Sequence, residues 1–145
     1  MLGTKWDIKV LATDISTKHL NIGRKGIFPA ETGKSVPNKW RLKYFRSCEA
    51  GNQYFQVRPE LRRDVIFRLA NLLDVNSLPS NIRVDFIFCR NVFIYLSNEA
   101  RAQALDHFYQ RLNNGGHLFL GHSETINTVQ DQRWVPLGKS IYRKR

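Results

Sequence analysis

The side chains of this sequence that can do chemistry stand where apolar, β-prone runs end. Asp14 follows Ile8-Lys9-Val10-Leu11-Ala12-Thr13, and Asn71 follows Val65-Ile66-Phe67-Arg68-Leu69 by two residues. Arg90, Asn91 and Tyr95 follow the run from Val84 to Cys89, and His122-Ser123-Glu124 follow the run from His117 to Leu120. In open α/β sheets ligands bind beyond the carboxyl ends of the strands, which places Arg90, Asn91 and Tyr95 at a site rather than in a core. A carboxylate offers two acceptor oxygens, so an acidic residue at the tip of the second strand of such a sheet can take hydrogen bonds from both hydroxyls of a ribose. Asp14 suits that role; it equally suits a first-turn or capping charge for the helix that follows it. His122, Ser123 and Glu124 put a nucleophile beside a possible base, but neighbours on one strand end point in different directions and do not converge as a hydrolytic triad must. His107, His117 and His122 match no standard metal-ligand spacing.

The elements that must hold these residues follow from the pattern. Val84 to Cys89 is almost continuously apolar, as a parallel strand covered on both faces would be. Ser16 is placed to cap a helix through about Ile22. Ser97 is placed to cap one whose Ala100, Ala104, Leu105, Phe108 and Leu112 recur at helical spacing, with Asn114-Gly115-Gly116 as its stop. From Arg24 to Asn52 the composition turns to Gly, Pro, Ser and Lys, which marks an insertion. Within it Arg41-Leu42-Lys43-Tyr44-Phe45-Arg46 and Gln53-Tyr54-Phe55-Gln56-Val57 are predicted as two antiparallel strands joined through Ala50-Gly51-Asn52. Such a pair can dock an extended peptide at its edge, stack bases, or pack its own aromatics. Pro59 to Arg63 begins a short helix, and Trp134 to Arg143 is predicted to form a hairpin turning near Gly138-Lys139.

With 145 residues and 42% hydrophobic side chains, the chain is long enough for one domain with a true core. No apolar run approaches the roughly 20 residues of a membrane span, and the amino terminus lacks the apolar stretch of a signal peptide, so the expected location is cytoplasmic. Cys48 and Cys89 lie in unlike settings without ligand spacing and are expected to be reduced thiols. Lys and Arg number 23 against 12 acidic residues, a formal charge of +11. That excess suits nucleic acid, a membrane surface or an acidic protein, and equally a solvated basic face.

Three blocks together resemble one family, the CheR-type chemotaxis-receptor glutamate O-methyltransferases that use S-adenosylmethionine. They are Leu11-Ala12-Thr13-Asp14-Ile15-Ser16, Phe88-Cys89-Arg90-Asn91-Val92-Phe93-Ile94-Tyr95, and Gly115-Gly116-His117-Leu118-Phe119-Leu120-Gly121-His122-Ser123-Glu124. The resemblance implies an α/β fold of the class I methyltransferase, Rossmann-like kind. Its sheet would end in an antiparallel hairpin and carry a small antiparallel β-subdomain inserted over approximately residues 26–57. It implies that Asp14 holds the ribose hydroxyls, that Asn71 and Leu72 lie along the adenine, and that Arg90 and Asn91 line the pocket after the fourth strand. Tyr95 would reach the reacting methyl group and orient the substrate carboxylate. The implied cofactor is S-adenosyl-L-methionine, with S-adenosyl-L-homocysteine as product. The implied partners are chemotaxis-receptor helices and, through the β-subdomain, a receptor's carboxy-terminal tail.

The family's sheet opens with a strand and a glycine-rich turn that have no counterpart ahead of Ile8, so residues 1–145 are expected to be a partial cofactor-binding domain. The absent strand is the central one of the order 3-2-1-4-5-7-6. Its loss would leave two interior edges unpaired, and self-association or direct pairing of the second strand with the fourth is the expected remedy. Phe28 stands where the family has Tyr, Asn114 where it has Pro, and Leu96 where it has Phe. Two other functions are carried alongside: a non-catalytic module whose basic β-subdomain docks an acidic receptor tail or signalling protein, and nucleic-acid binding through the excess charge.

Overall fold

The computed structural model describes residues 7–48 and 53–145, and the chain divides into two compact units, Met1–Ala70 and Asn71–Arg145. In the first unit, β1 (Val10–Asp14) pairs in parallel with β5 (Val65–Leu69), Val10 opposite Val65 and Asp14 opposite Leu69. Helix α1 (Thr17–Lys25) follows β1 directly. Ser16 caps it by accepting from the His19 N–H at 3.3 Å, and Gly26, at φ 62°, ends it by donating back to Ile22 and Gly23. The helix comes so close to β5 at Gly23 that an added Cβ would lie 2.4 Å from the Phe67 ring.

Between α1 and β5 lies a three-stranded antiparallel sheet in the order β2 (Ile27–Pro29), β4 (Tyr54–Val57), β3 (Phe45–Ser47). It packs its own aromatics: Phe55 stacks on Phe45 with centroids 4.4 Å apart and meets Phe28 at 5.8 Å. The strand expected from Arg41 is shorter than predicted, because Asn38–Tyr44 is helix α2. Pro37 fixes the chain at the helix entrance, and the apparent alternation of cations and apolar residues is the i, i+3, i+4 spacing of a helix surface. Trp40 stacks on Tyr44 at 5.6 Å, and Asn38 accepts from Arg41 at 3.2 Å. The expected Ala50-Gly51-Asn52 turn lies outside the described residues. A single helical turn, α3 (Pro59–Arg62), leads into β5.

The second unit holds a four-stranded sheet in the order β6 (Val84–Cys89), β7 (Leu112–Leu120), β9 (Ile141–Lys144), β8 (Trp134–Gly138). β6 and β7 run parallel, and the β8–β9 hairpin is antiparallel. Helix α4 (Asn98–Arg111), capped by Ser97 through the Ala100 N–H at 3.2 Å, supplies Ala104, Leu105 and Phe108 to a core shared with Cys89, Phe93, Leu112, Leu118, Leu120, Ile126, Trp134 and Tyr142. The helix ends before the predicted Asn114-Gly115-Gly116 stop. Leu112 is already extended, and Gly115, at φ 77°, sits where the β6–β7 register shifts.

β6 is covered on one face only, contrary to expectation. Phe86 and Phe88 are 59% and 70% exposed, and Phe88 stacks on Phe119 of β7 at 4.5 Å to form an open aromatic face. The continuous apolar run signals two hydrophobic faces, yet α4 and its core take only the Ile87–Cys89 side. Among the described residues β1 pairs with β5 in the first unit and β6 pairs with β7 in the second.

Candidate functional site

Asp14 is the last residue of β1. Its Oδ1 accepts the Ser16 N–H at 2.8 Å, and Oδ2 lies 3.7 Å from His19 Nδ1. Capping of α1 therefore falls to Ser16, and the Asp14 carboxylate braces the turn with one oxygen while the other stays open to a further donor.

In the second unit, Asn71 and Leu72 begin a turn tied to α4. Asn71 Oδ1 accepts the Leu73 N–H at 3.0 Å, His107 Nδ1 donates to the Leu72 carbonyl at 2.9 Å, and Gln103 donates to the Leu73 carbonyl at 2.8 Å. These bonds leave the Asn71 side-chain amide without a partner for its N–H groups among the described residues.

The turn after β6 carries Arg90, Asn91 and Tyr95. Arg90 Nη2 lies 3.2 Å from His122 Nδ1, which joins the ends of β6 and β7. Asn91 is held at φ 59°, a left-handed conformation that asparagine tolerates better than most residues. Phe93 is buried in the core and Arg101 Nε donates to its carbonyl at 2.9 Å, whereas Tyr95 is 82% exposed. Cys89, just before the turn, is no nucleophile: burial, and secondarily the Glu124 carboxylate, push its thiol up to about 12.

Sequence reasoning gave Glu124 no role beyond its motif, and the structure gives it a central one. Its side chain is buried, with the residue only 3% exposed. Oε2 accepts the N–H groups of Gly121 at 2.6 Å and Asn91 at 3.0 Å, and Oε1 accepts that of Phe93 at 2.8 Å. Gly121 must be glycine for this approach, since a Cβ there would lie 2.6 Å from Glu124 Oε2 and 2.7 Å from Asn91 Oδ1. Burial pushes the Glu124 carboxyl up, but the backbone N–H groups of Gly121, Asn91, Phe93 and Ile94 outweigh it and hold the group below its ordinary value of 4.5. A depressed carboxyl stabilises the fold fully above pH 4.5, and that contribution disappears as pH falls through the lower folded value. Thermal melts from pH 6 to pH 3 are therefore expected to show a loss of midpoint below about 4.5 that a Glu124→Gln variant lacks; parallel curves would contradict it. The same geometry disposes of a hydrolase, because Glu124 faces backbone donors rather than Ser123 or His122. Among the described residues no three His, Cys, Asp or Glu side chains form a metal site.

The family description "CheR methyltransferase, SAM binding domain" fits residues 2–140. The chain belongs to this family. Chemotaxis protein methyltransferase 2 of Vibrio cholerae is 40% identical over 123 residues, covering 85% of this chain and 42% of that protein. Chemotaxis protein methyltransferase of Borreliella burgdorferi is 38% identical over 128 residues, covering 88% and 44%, and chemotaxis protein methyltransferase 1 of Pseudomonas aeruginosa is 35% identical, covering 88% and 45%. This CheR chain thus spans less than half the length of these relatives. A looser likeness, with a TM-score of 0.48 and 14% identity over 94% of this chain and 66% of the other, is to the rRNA methyltransferase aviRa of Streptomyces viridochromogenes. S-adenosylmethionine is the cofactor of the CheR domain. The chemistry of single residues suits it within each unit: the Asp14 carboxylate can accept from a hydroxyl, and the Asn71 amide can donate. No helix of the CheR chain is long and apolar enough to cross a membrane among the described residues.

Proposed function

We propose that this chain is part of an S-adenosylmethionine-dependent methyltransferase that methylates glutamate side chains of chemotaxis receptors. The supporting observation is the family match over residues 2–140, together with polar residues at the carboxyl ends of β1 and β6. Residues 1–145 form a partial cofactor-binding domain, with the β-subdomain at about 26–57. In this reading Asp14 accepts the ribose hydroxyls, Asn71 and Leu72 flank the adenine, and Arg90 and Asn91 line the pocket after β6.

When bound, the cofactor supplies a methyl group already activated on a sulfonium. A glutamate side chain is an anion near pH 7, so the protein needs no strong base. Its task is to orient the carboxylate and exclude water. Tyr95 donates its hydroxyl to one carboxylate oxygen and leaves the other free to react. The receptor's carboxy-terminal tail docks on the β-subdomain, where exposed Trp40 and Leu42 lie among Lys39, Arg41 and Lys43 of α2.

Calorimetric titration of S-adenosylhomocysteine into the chain is expected to show saturable binding. Asp14→Ala removes two hydrogen bonds to a charged acceptor, each about 1.5–3 kcal/mol, and so weakens binding by about 100-fold or more. Equal affinity in the two proteins would remove Asp14 from the site.

A further inference from the structure

We propose that Glu124 is a positioning residue for methyl transfer: its carboxylate fixes the backbone of residues 90–95 so that Arg90, Asn91 and Tyr95 present their side chains in one geometry. The inference rests on the reading above, in which those three residues meet cofactor and substrate.

Glu124 is a buried anion whose charge is met by backbone N–H groups rather than by a cation. Among the described residues it takes part in no salt bridge, and the nearby Arg90 guanidinium turns to His122 instead. Buried charge of this kind persists when donors converge on it, and here they come from two turns far apart in sequence. Asn91 and Phe93 precede Glu124 by 33 and 31 residues, and Gly121 by 3. One carboxylate therefore joins the turn after β6 to the turn after β7, both at the strand ends where ligands bind in this class of sheet. The bond to the Asn91 N–H acts at the left-handed residue of the turn, where the backbone would otherwise relax. The Arg101 bond to the Phe93 carbonyl and the burial of Phe93 secure the opposite side of the same turn.

Glutamine is close to isosteric but cannot do this work. With its carbonyl at the Oε2 position it serves Gly121 and Asn91, and its amide N–H groups then face the Phe93 N–H; reversed, two donors are lost instead of one. Either way the turn loses its single geometry while the core of Leu118, Leu120 and Phe108 is untouched.

The test uses the whole chain as wild type, Glu124→Gln and Leu105→Ala, the last a truncation in the core of the second unit that leaves every donor to Glu124 in place. Each is titrated with S-adenosylhomocysteine and compared by amide nuclear magnetic resonance. The expected result is at least tenfold weaker binding by the folded Glu124→Gln protein, with the Gly121, Asn91 and Phe93 amide signals displaced and those of β9 unchanged. Leu105→Ala, although less stable, binds as wild type does. Wild-type affinity in Glu124→Gln overturns the positioning role and leaves the cofactor reading intact. Failure of the wild type itself to bind overturns the cofactor reading for this chain. The amide signals then decide about Glu124: displaced signals sustain it as the anchor of the turn, and undisplaced ones overturn that as well.

Discussion

Trp134→Ala is expected to destabilise the second unit by about 3–5 kcal/mol, the range for emptying a large aromatic from a core. Trp134 is 1% exposed at the start of β8, and its indole meets the Tyr109 ring edge-on at 5.7 Å. Tyr109 in turn carries the Lys144 ammonium over its ring at 4.3 Å, so the cavity would open beneath the last strand as well. The loss is a large share of the roughly 5–15 kcal/mol that holds a typical domain together. Trp134→Phe should cost much less, because it keeps most of the ring volume. Urea unfolding followed by circular dichroism measures both. A loss below about 1 kcal/mol for the alanine variant would show that the site collapses around the gap.

Gly121→Ala adds one methyl group and is expected to remove S-adenosylhomocysteine binding altogether, with a stability loss of about 2–5 kcal/mol from overpacking and weakened charged hydrogen bonds. The new Cβ would stand 2.6 Å from Glu124 Oε2, 2.7 Å from Asn91 Oδ1 and 3.1 Å from the Asn91 nitrogen. Asn91 Oδ1 ends an exposed side chain that can turn away, but the other two contacts are fixed. Oε2 is held by two N–H groups, and the Asn91 nitrogen belongs to the backbone of the proposed site. Relief requires the turns after β6 and β7 to part. Full binding by a folded alanine variant would show that the two turns move independently.

Much of the fold is written locally. Ser16 and Ser97 mark helix starts because a hydroxyl before an amphipathic run satisfies amide donors wherever it occurs. β6 and the β8–β9 hairpin announce themselves by apolar runs and a turn. Helix α2 was hidden because lysine, arginine and aromatic side chains suit a solvated helix and an exposed strand alike, and Pro37 was the one local sign of its start. The open face of β6 was hidden because an apolar run records which faces want cover, not which elements provide it. The proposed ligand residues at strand ends could be picked out by type and position. Glu124 could not: its role depends on Asn91 and Phe93 arriving beside it from more than thirty residues away, and sequence spacing carries no trace of that meeting.

The open aromatic face of β6 and β7 bears on how copies of this chain behave toward one another. Phe86, Phe88 and Phe119 form an apolar surface on the second unit, while the net charge of +11 makes every copy repel every other. The repulsion reaches about 10 Å at 0.1 M salt and about 3 Å at 1 M, whereas the adhesion of apolar surface is not screened at all. Dilute buffer is therefore the dispersing medium for this molecule. Added salt, which calms most highly charged proteins, brings the phenylalanines of neighbouring copies within reach.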